Sequence, residues 1–156
     1  MSFVHTKGNI ESLPSISCVS EEVINSPSYY NEGAKRKAPL GVAVFTLSGS
    51  GSFRHRSKDW NLPVGSAFLC DVSNPDIVYY YPKDAKEPWR FVWMTFLGGG
   101  SLDILNEFNE KYGFVFNSIG SEFPQQLKSF QREKENVLEI LPSSAAKTVM
   151  ELFECL

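Results

Sequence analysis

The chain has 156 residues, 42% of them hydrophobic and 21% charged, and a formal net charge of −3, which suffices for one sizeable core with an appendage and excludes two tandem enzymes. Its cations are scattered, with Lys35-Arg36-Lys37 and Arg54/Arg56/Lys58 as the clusters, and phosphate recognition needs several cations along one face, so direct nucleic-acid binding by this stretch is excluded. Cys18, Cys70 and Cys155 make no metal spacing, and no apolar run reaches the length of a membrane span, so the expectation is a soluble, cytoplasmic protein with reduced, buried thiols.

Residues up to about Phe96 read as strands and turns, and those after Gly98-Gly99-Gly100 read mostly as helices, a layout that implies a β-domain carrying helices at one end. Ile16–Ser20 is a first strand and Gly41–Leu47 a stronger one, rich in β-branched residues. Ser48-Gly49-Ser50-Gly51-Ser52 supplies the glycines of a tight reversal. Phe53–Arg56 returns, Ser57-Lys58-Asp59 reverses again, and Trp60–Leu62 is a short strand before the turn Pro63-Val64-Gly65. Ala67–Cys70 is a strand of buried type, Ser73–Asp76 turns into Ile77–Tyr81, Pro82–Pro88 is a loop, and Trp89–Phe96 is the longest strand. Short strands punctuated by glycine and proline predict a sandwich or small barrel.

Beyond the glycines, Leu102, Leu105, Phe108 and Tyr112 recur at helical spacing between a cap at Ser101 and a stop at Gly113. Phe114–Phe116 adds an edge strand, and Leu127 and Phe130 fit a helix starting near Ser121 that runs into the polar stretch Arg132–Asn136. Pro142 opens a last helix whose face carries Ala145, Val149, Leu152, Phe153 and Leu156. That face stays apolar to the final residue, as expected of a domain cut from a longer protein or of a C-terminal helix docked on its own barrel.

Chemistry-bearing motifs are sparse. A barrel with a glycine-rich hairpin and a Pro-x-Gly turn invites a cupin reading, but His5 and His55 are the only histidines, too few for the three-histidine-plus-carboxylate site usual there. No serine stands in a Gly-x-Ser-x-Gly elbow, and Ser48–Gly51 joins two strands rather than a strand and a helix, so neither a nucleophile nor a phosphate loop emerges. Asp84 and Glu87 lie beside Lys83 and Lys86 as solvated loop charges. No enzyme mechanism can be assembled, and no cofactor or metal is expected. The region from Tyr79 to Gly98 instead gathers three tyrosines, two tryptophans and an arginine around a proline-bounded turn, the composition either of an aromatic β-core or of a pocket for a small polar molecule.

Three segments in order, Thr46–Phe53, Leu62–Leu69, and Tyr80-Tyr81-Pro82 through Pro88-Trp89-Arg90-Phe91-Val92-Trp93-Met94-Thr95-Phe96-Leu97-Gly98, resemble the N-terminal effector-binding and dimerisation domain of AraC-type transcriptional regulators. The resemblance implies a mainly β fold, a cupin-like double-stranded β-helix (jelly-roll barrel) followed by α-helices. It divides the chain into arm and barrel (1–98) and helical dimerisation region (99–156), with a helix-turn-helix DNA-binding domain expected but absent from this stretch. It further implies a small effector, carbohydrate in class, bound inside the barrel of a homodimer, and an N-terminal arm before Ser15 with Phe3 and Leu13 as apolar contacts.

The family's arabinose sensor has a pocket tyrosine and tryptophan that match Tyr80 and Trp93, while its pocket arginine is replaced by Ser48 and its pocket histidine by Phe91. Those departures make arabinose itself a poor expectation. With Trp93 inward, strand alternation turns Trp89, Phe91 and Thr95 inward and Arg90, Val92 and Met94 outward. The expected site is therefore Trp89, Phe91, Trp93 and Thr95, facing Tyr80 and Val78, with Thr46 and Ser48 from the hairpin strand by the same parity as Val44. The expected dimer seam is Val149, Leu152, Phe153 and Leu156. Two readings from other classes stand beside this one: a metal-free cupin enzyme acting on a sugar with His55 as proton carrier, and a ligand-free dimerisation module with a filled barrel.

Overall fold

The structure, a computed structural model, describes residues 2–8, 10–130 and 137–156. Its strands are β1 (Ser2–Thr6), β2 (Ser15–Ile24), β3 (Tyr30–Glu32), β4 (Gly41–Ser48), β5 (Gly51–His55), β6 (Lys58–Leu62), β7 (Ala67–Asp71), β8 (Ile77–Tyr80), β9 (Trp89–Leu97), β10 (Val115–Phe116) and β11 (Val137–Ile140); its helices are α1 (Ser101–Tyr112), α2 (Glu122–Ser129) and α3 (Pro142–Cys155). They form a large sheet of order β10-β7-β4-β9-β2-β1-β11 and a small sheet of order β3-β8-β5-β6. The chain crosses between the sheets after β2, β3, β4, β6, β7 and β8, so each sheet supplies one wall of a cupin-like barrel.

The alternation of β9 decides the layering. Trp89 and Phe91 join Val42, Val44, Phe53, Leu62, Phe68, Ile77 and Tyr79 in a core between the sheets. Val92, Met94 and Phe96 join Ala43, Phe45, Leu69, Leu105, Leu127, Val149 and Leu152 in a second core between the large sheet and the helices. Residues turned away from the barrel on β9 are thus not surface residues, Arg90 excepted: Val92 and Met94 are fully buried. Strands buried on both faces lose the alternation that marks a half-exposed sheet, as the apolar run of β4 illustrates.

The division near Gly98 is a division of layers. Strands β10 and β11 come from the helical half yet complete the two edges of the large sheet, β10 on β7 and β11 in parallel with β1. The polar stretch 131–136 lies outside the described residues. Strands β1, β3 and β11 carry no strong pattern in the sequence; β3 has three residues.

Local chemistry explains the turns. Gly49 sits at φ +65° in the hairpin, and a Cβ on Gly51 would stand 2.4 Å from the indole atoms of Trp89, so this glycine admits the ring that fills the barrel end. The second reversal is the pair Arg56-Ser57, with Arg56 at φ 56°, so β6 begins at Lys58, earlier than expected. Gly100, in the left-handed region, caps α1 in place of Ser101, whose hydroxyl bonds Gly98 O at 2.7 Å from inside the first turn.

Helix α3 buries Val149 and Leu152 of the expected seam in the chain's own core and leaves Phe153 and Leu156 half-buried. Ala145, Val149 and Leu152 are fully buried, and Phe153 and Leu156 are packed against the same core, because the apolar stripe lies on the sheet of its own chain. Among the described residues of the helical half, the exposed large apolar ones are Val137, Leu141 and Met150, with Ile104 and Tyr112 on α1.

Candidate functional site: an aromatic-walled cavity

One end of the barrel is packed and the other is open. At the packed end Trp89 is fully buried, with its ring 4.3 Å from Phe91 and 6.1 Å from Tyr29 between centroids. Its Nε1–H donates to Thr46 Oγ1 at 3.0 Å, and Thr46 Oγ1 donates to Leu62 O at 3.2 Å. At the open end lies a cavity of about 470 Å³, within the range of small-ligand sites.

Strand β4 contributes Val42 and Val44 to its lining, and β9 contributes Phe91, Trp93 and Thr95. These follow from register, since Val44 pairs with Trp93 and Val42 with Thr95. Strand β2 brings Ser17, Cys18 and Glu22, opposite Thr95 and Phe91, and β8 brings Tyr79. The rim is made by Tyr29, Asn31, Arg36 and Leu40 from the segment around β3, by Val72, and by Phe3 on β1, which is 58% exposed. Leu13 is absent from the lining; its backbone packs under Gly99.

The polar groups are held in place. Trp93 Nε1–H donates to Glu22 Oε1 at 2.8 Å, Arg36 Nη2 donates to Asn31 Oδ1 at 3.2 Å, and Ser17 and Thr95 share a hydroxyl–hydroxyl bond of 2.7 Å. Burial pushes the Tyr79 phenol up to about 12 and moves Tyr29 in the same direction, so both rings present neutral hydroxyls across the physiological range. Burial likewise raises the Cys18 thiol, which makes it a poor nucleophile.

Of the residues expected at the site, the fold brings Phe91, Trp93 and Thr95 to the cavity and leaves five outside its lining. Trp89 and Thr46 do face into the barrel, but as the packed end beneath it. Ser48 is exposed, because a β-bulge between Thr46 and Ser48 breaks the parity that would turn it inward. Tyr80 and Val78 lie on the outer face of the small sheet, since Ile77 and Tyr79 are the inward pair of β8. There Tyr80 stacks on Tyr30 at 5.5 Å, receives Arg54 over its ring at 5.4 Å and donates to Asp59 Oδ1 at 3.0 Å. The tyrosines of the cavity are Tyr29 and Tyr79, and its arginine is Arg36.

His55 lies away from this lining, stacked on Phe114 with centroids 4.3 Å apart, so it has no route to a ligand in the barrel. A second cleft of about 380 Å³ beside α2 is lined by Arg90 and Lys128, and both pair with Glu21. Among the described residues, no group of three or more His, Cys, Asp or Glu is arranged to hold a metal ion. No helix there is long and apolar enough to cross a membrane.

No curated protein matches the chain. Among solved structures it is similar to an RmlC-like cupin protein from Desulfovibrio desulfuricans, with 12% identity over 49% of this chain and 80% of that one at a TM-score of 0.32. It is also similar to a cupin protein from Bacteroides fragilis, with 17% identity over 58% of this chain and 70% of that one at a TM-score of 0.36. The model of the family described as the AraC-like ligand binding domain matches residues 41–156, most of the chain, and the chain belongs to that family.

Proposed function

We propose that this chain is the effector-sensing domain of a cytoplasmic transcriptional regulator, not an enzyme, and that it binds a small carbohydrate in the barrel cavity. The observation that carries the reading is the open barrel end itself, about 470 Å³ walled by Tyr29, Tyr79, Phe91 and Trp93 and lined with hydroxyl, amide, carboxylate and guanidinium groups. Aromatic faces stack on the C–H faces of a sugar ring, and converging polar groups satisfy its hydroxyls. A filled barrel acting only as a dimerisation module would leave no such space.

In this reading, two copies pair through the outer faces of the helical layer, where Met150 is 44% and Tyr112 57% exposed. The effector favours one arrangement of β1 over the cavity, where Phe3 stands at the rim, and a helix-turn-helix domain reads the population shift. The supporting features are the family membership and the rim position of Phe3.

The test is thermal unfolding across a panel of pentoses, hexoses, amino sugars, disaccharides and sugar acids, with Trp93→Ala alongside. A ligand at a hundredfold excess over its dissociation constant adds about 2.7 kcal/mol, which raises the midpoint by roughly 5–10 °C. A shift that vanishes in Trp93→Ala supports the reading. An unshifted midpoint with every sugar refutes the carbohydrate assignment.

A further inference from the structure

The cavity's charges differ in how well they are already matched. Two charged side chains, Glu22 and Arg36, line it among the described residues. Arg36 is exposed, so water solvates its guanidinium, and it already has an acceptor in Asn31 Oδ1. Glu22 is partly buried, and its hydrogen-bond donor is the neutral indole N–H of Trp93. It enters no ion pair among the described residues, whereas its neighbour Glu21 pairs with Arg90 and Lys128 on the other side of the strand. Both charges act on Tyr29 and Tyr79, Glu22 raising and Arg36 lowering them, while burial dominates; those two rings form the cavity wall with Phe91 and Trp93.

A partly buried carboxylate that forms no ion pair among the described residues, in a cavity walled by four aromatic rings, is the complement of a protonated amine. Ring faces attract a cation, the carboxylate forms a charge-assisted hydrogen bond with it, and neutral phenols accept its remaining protons. A carboxylated ligand would meet Glu22 as a like charge. We infer that the effector carries a protonated amine directed at Glu22, which makes it an amino sugar rather than a neutral sugar or a sugar acid. The inference rests on the carbohydrate-sensor reading above and narrows its ligand class.

Calorimetric titration of this chain at mildly acidic pH, with glucosamine, galactosamine and mannosamine each set against its parent hexose and its N-acetyl derivative, tests it. At least one amine binds about ten- to a hundredfold more tightly than both of its neutral counterparts, the range for a hydrogen bond to a charged group. Added salt weakens the amine and spares the neutral compounds. Glu22→Gln, which keeps an oxygen for the Trp93 indole, abolishes the preference without changing the melting temperature of the unliganded chain.

A parent hexose that binds as tightly as its amine overturns this inference and leaves the sensor reading standing. So does a preference that survives in Glu22→Gln. No binding by any amine or hexose overturns the amine assignment and refutes binding of these sugars together. The comparison of amine with parent uses the unaltered chain, so it holds even where the variant fails to fold.

Discussion

Thr46→Val replaces a buried hydroxyl by a methyl of nearly the same size, at the point where the packed barrel end meets the cavity. Thr46 is 5% exposed and accepts from Trp89 Nε1, while Trp89 is fully buried. Valine leaves the indole N–H with no acceptor at that position, and a buried unsatisfied donor costs about 1–3 kcal/mol, with roughly 1 kcal/mol more for the lost bond to Leu62 O. The sum, about 2–4 kcal/mol, lowers the melting midpoint of a domain of this size by roughly 5–15 °C. Thr46→Ser retains the oxygen and gives up one methyl, so it loses about half as much. The assay is calorimetric or circular-dichroism melting of the three proteins side by side. The hydrogen-bond argument is refuted if valine melts with or above serine, because the methyl group would then outweigh the hydroxyl.

Four further outcomes follow from the same structure. Gly51→Ala should lower stability by about 1–3 kcal/mol in denaturant titration, since its Cβ would stand 2.4 Å from the Trp89 ring. Leu152→Glu should unfold the chain rather than only separate subunits, because Leu152 is fully buried, whereas Met150→Glu should stay folded and, if the outer helical face is the seam, run as a monomer in light scattering. Tyr79 is held protonated up to about 12 when folded against an ordinary 10, so its contribution is complete below about pH 10 and is lost as pH rises through about 12. Tyr79→Phe should therefore flatten the alkaline fall of stability in pH-dependent melting. Trp93→Phe should keep the fold and weaken effector binding in titration calorimetry, because Glu22 loses the indole N–H that orients it.

The barrel strands were legible because their signals are local. Glycine and proline bracket β4 to β9, and the parity along β9 read from Trp93 puts Phe91 and Thr95 on the same side of the strand, where all three line the cavity. Three kinds of information were not local. Ile77-Val78-Tyr79-Tyr80 is apolar or aromatic at every position, so the alternation carries no sign; Arg54, Asp59 and Tyr30 on the outer face are what give Tyr80 its place. The bulge after Thr46 inverts a parity that holds up to that residue. Glu22 and Arg36 belong to segments that show neither motif nor strong pattern, and their charges become neighbours of the cavity only through the pairing of β2 with β9 and β3 with β8.

Helix α3 illustrates the converse. Its apolar stripe was readable from spacing, but a stripe states only that something covers it. Here the cover is the chain's own large sheet, on β2 and its neighbours. The fold itself consumes Val149 and Leu152, whereas Phe153 and Leu156 keep part of their surface.

The most direct test of the account is a crystal structure of this chain grown with the compound that raises its melting temperature most. The account predicts ligand density between Trp93, Phe91, Tyr79 and Tyr29, with a polar group of the ligand within hydrogen-bond distance of Glu22. Density at any other site, or a barrel end closed by side chains around no ligand, would contradict it.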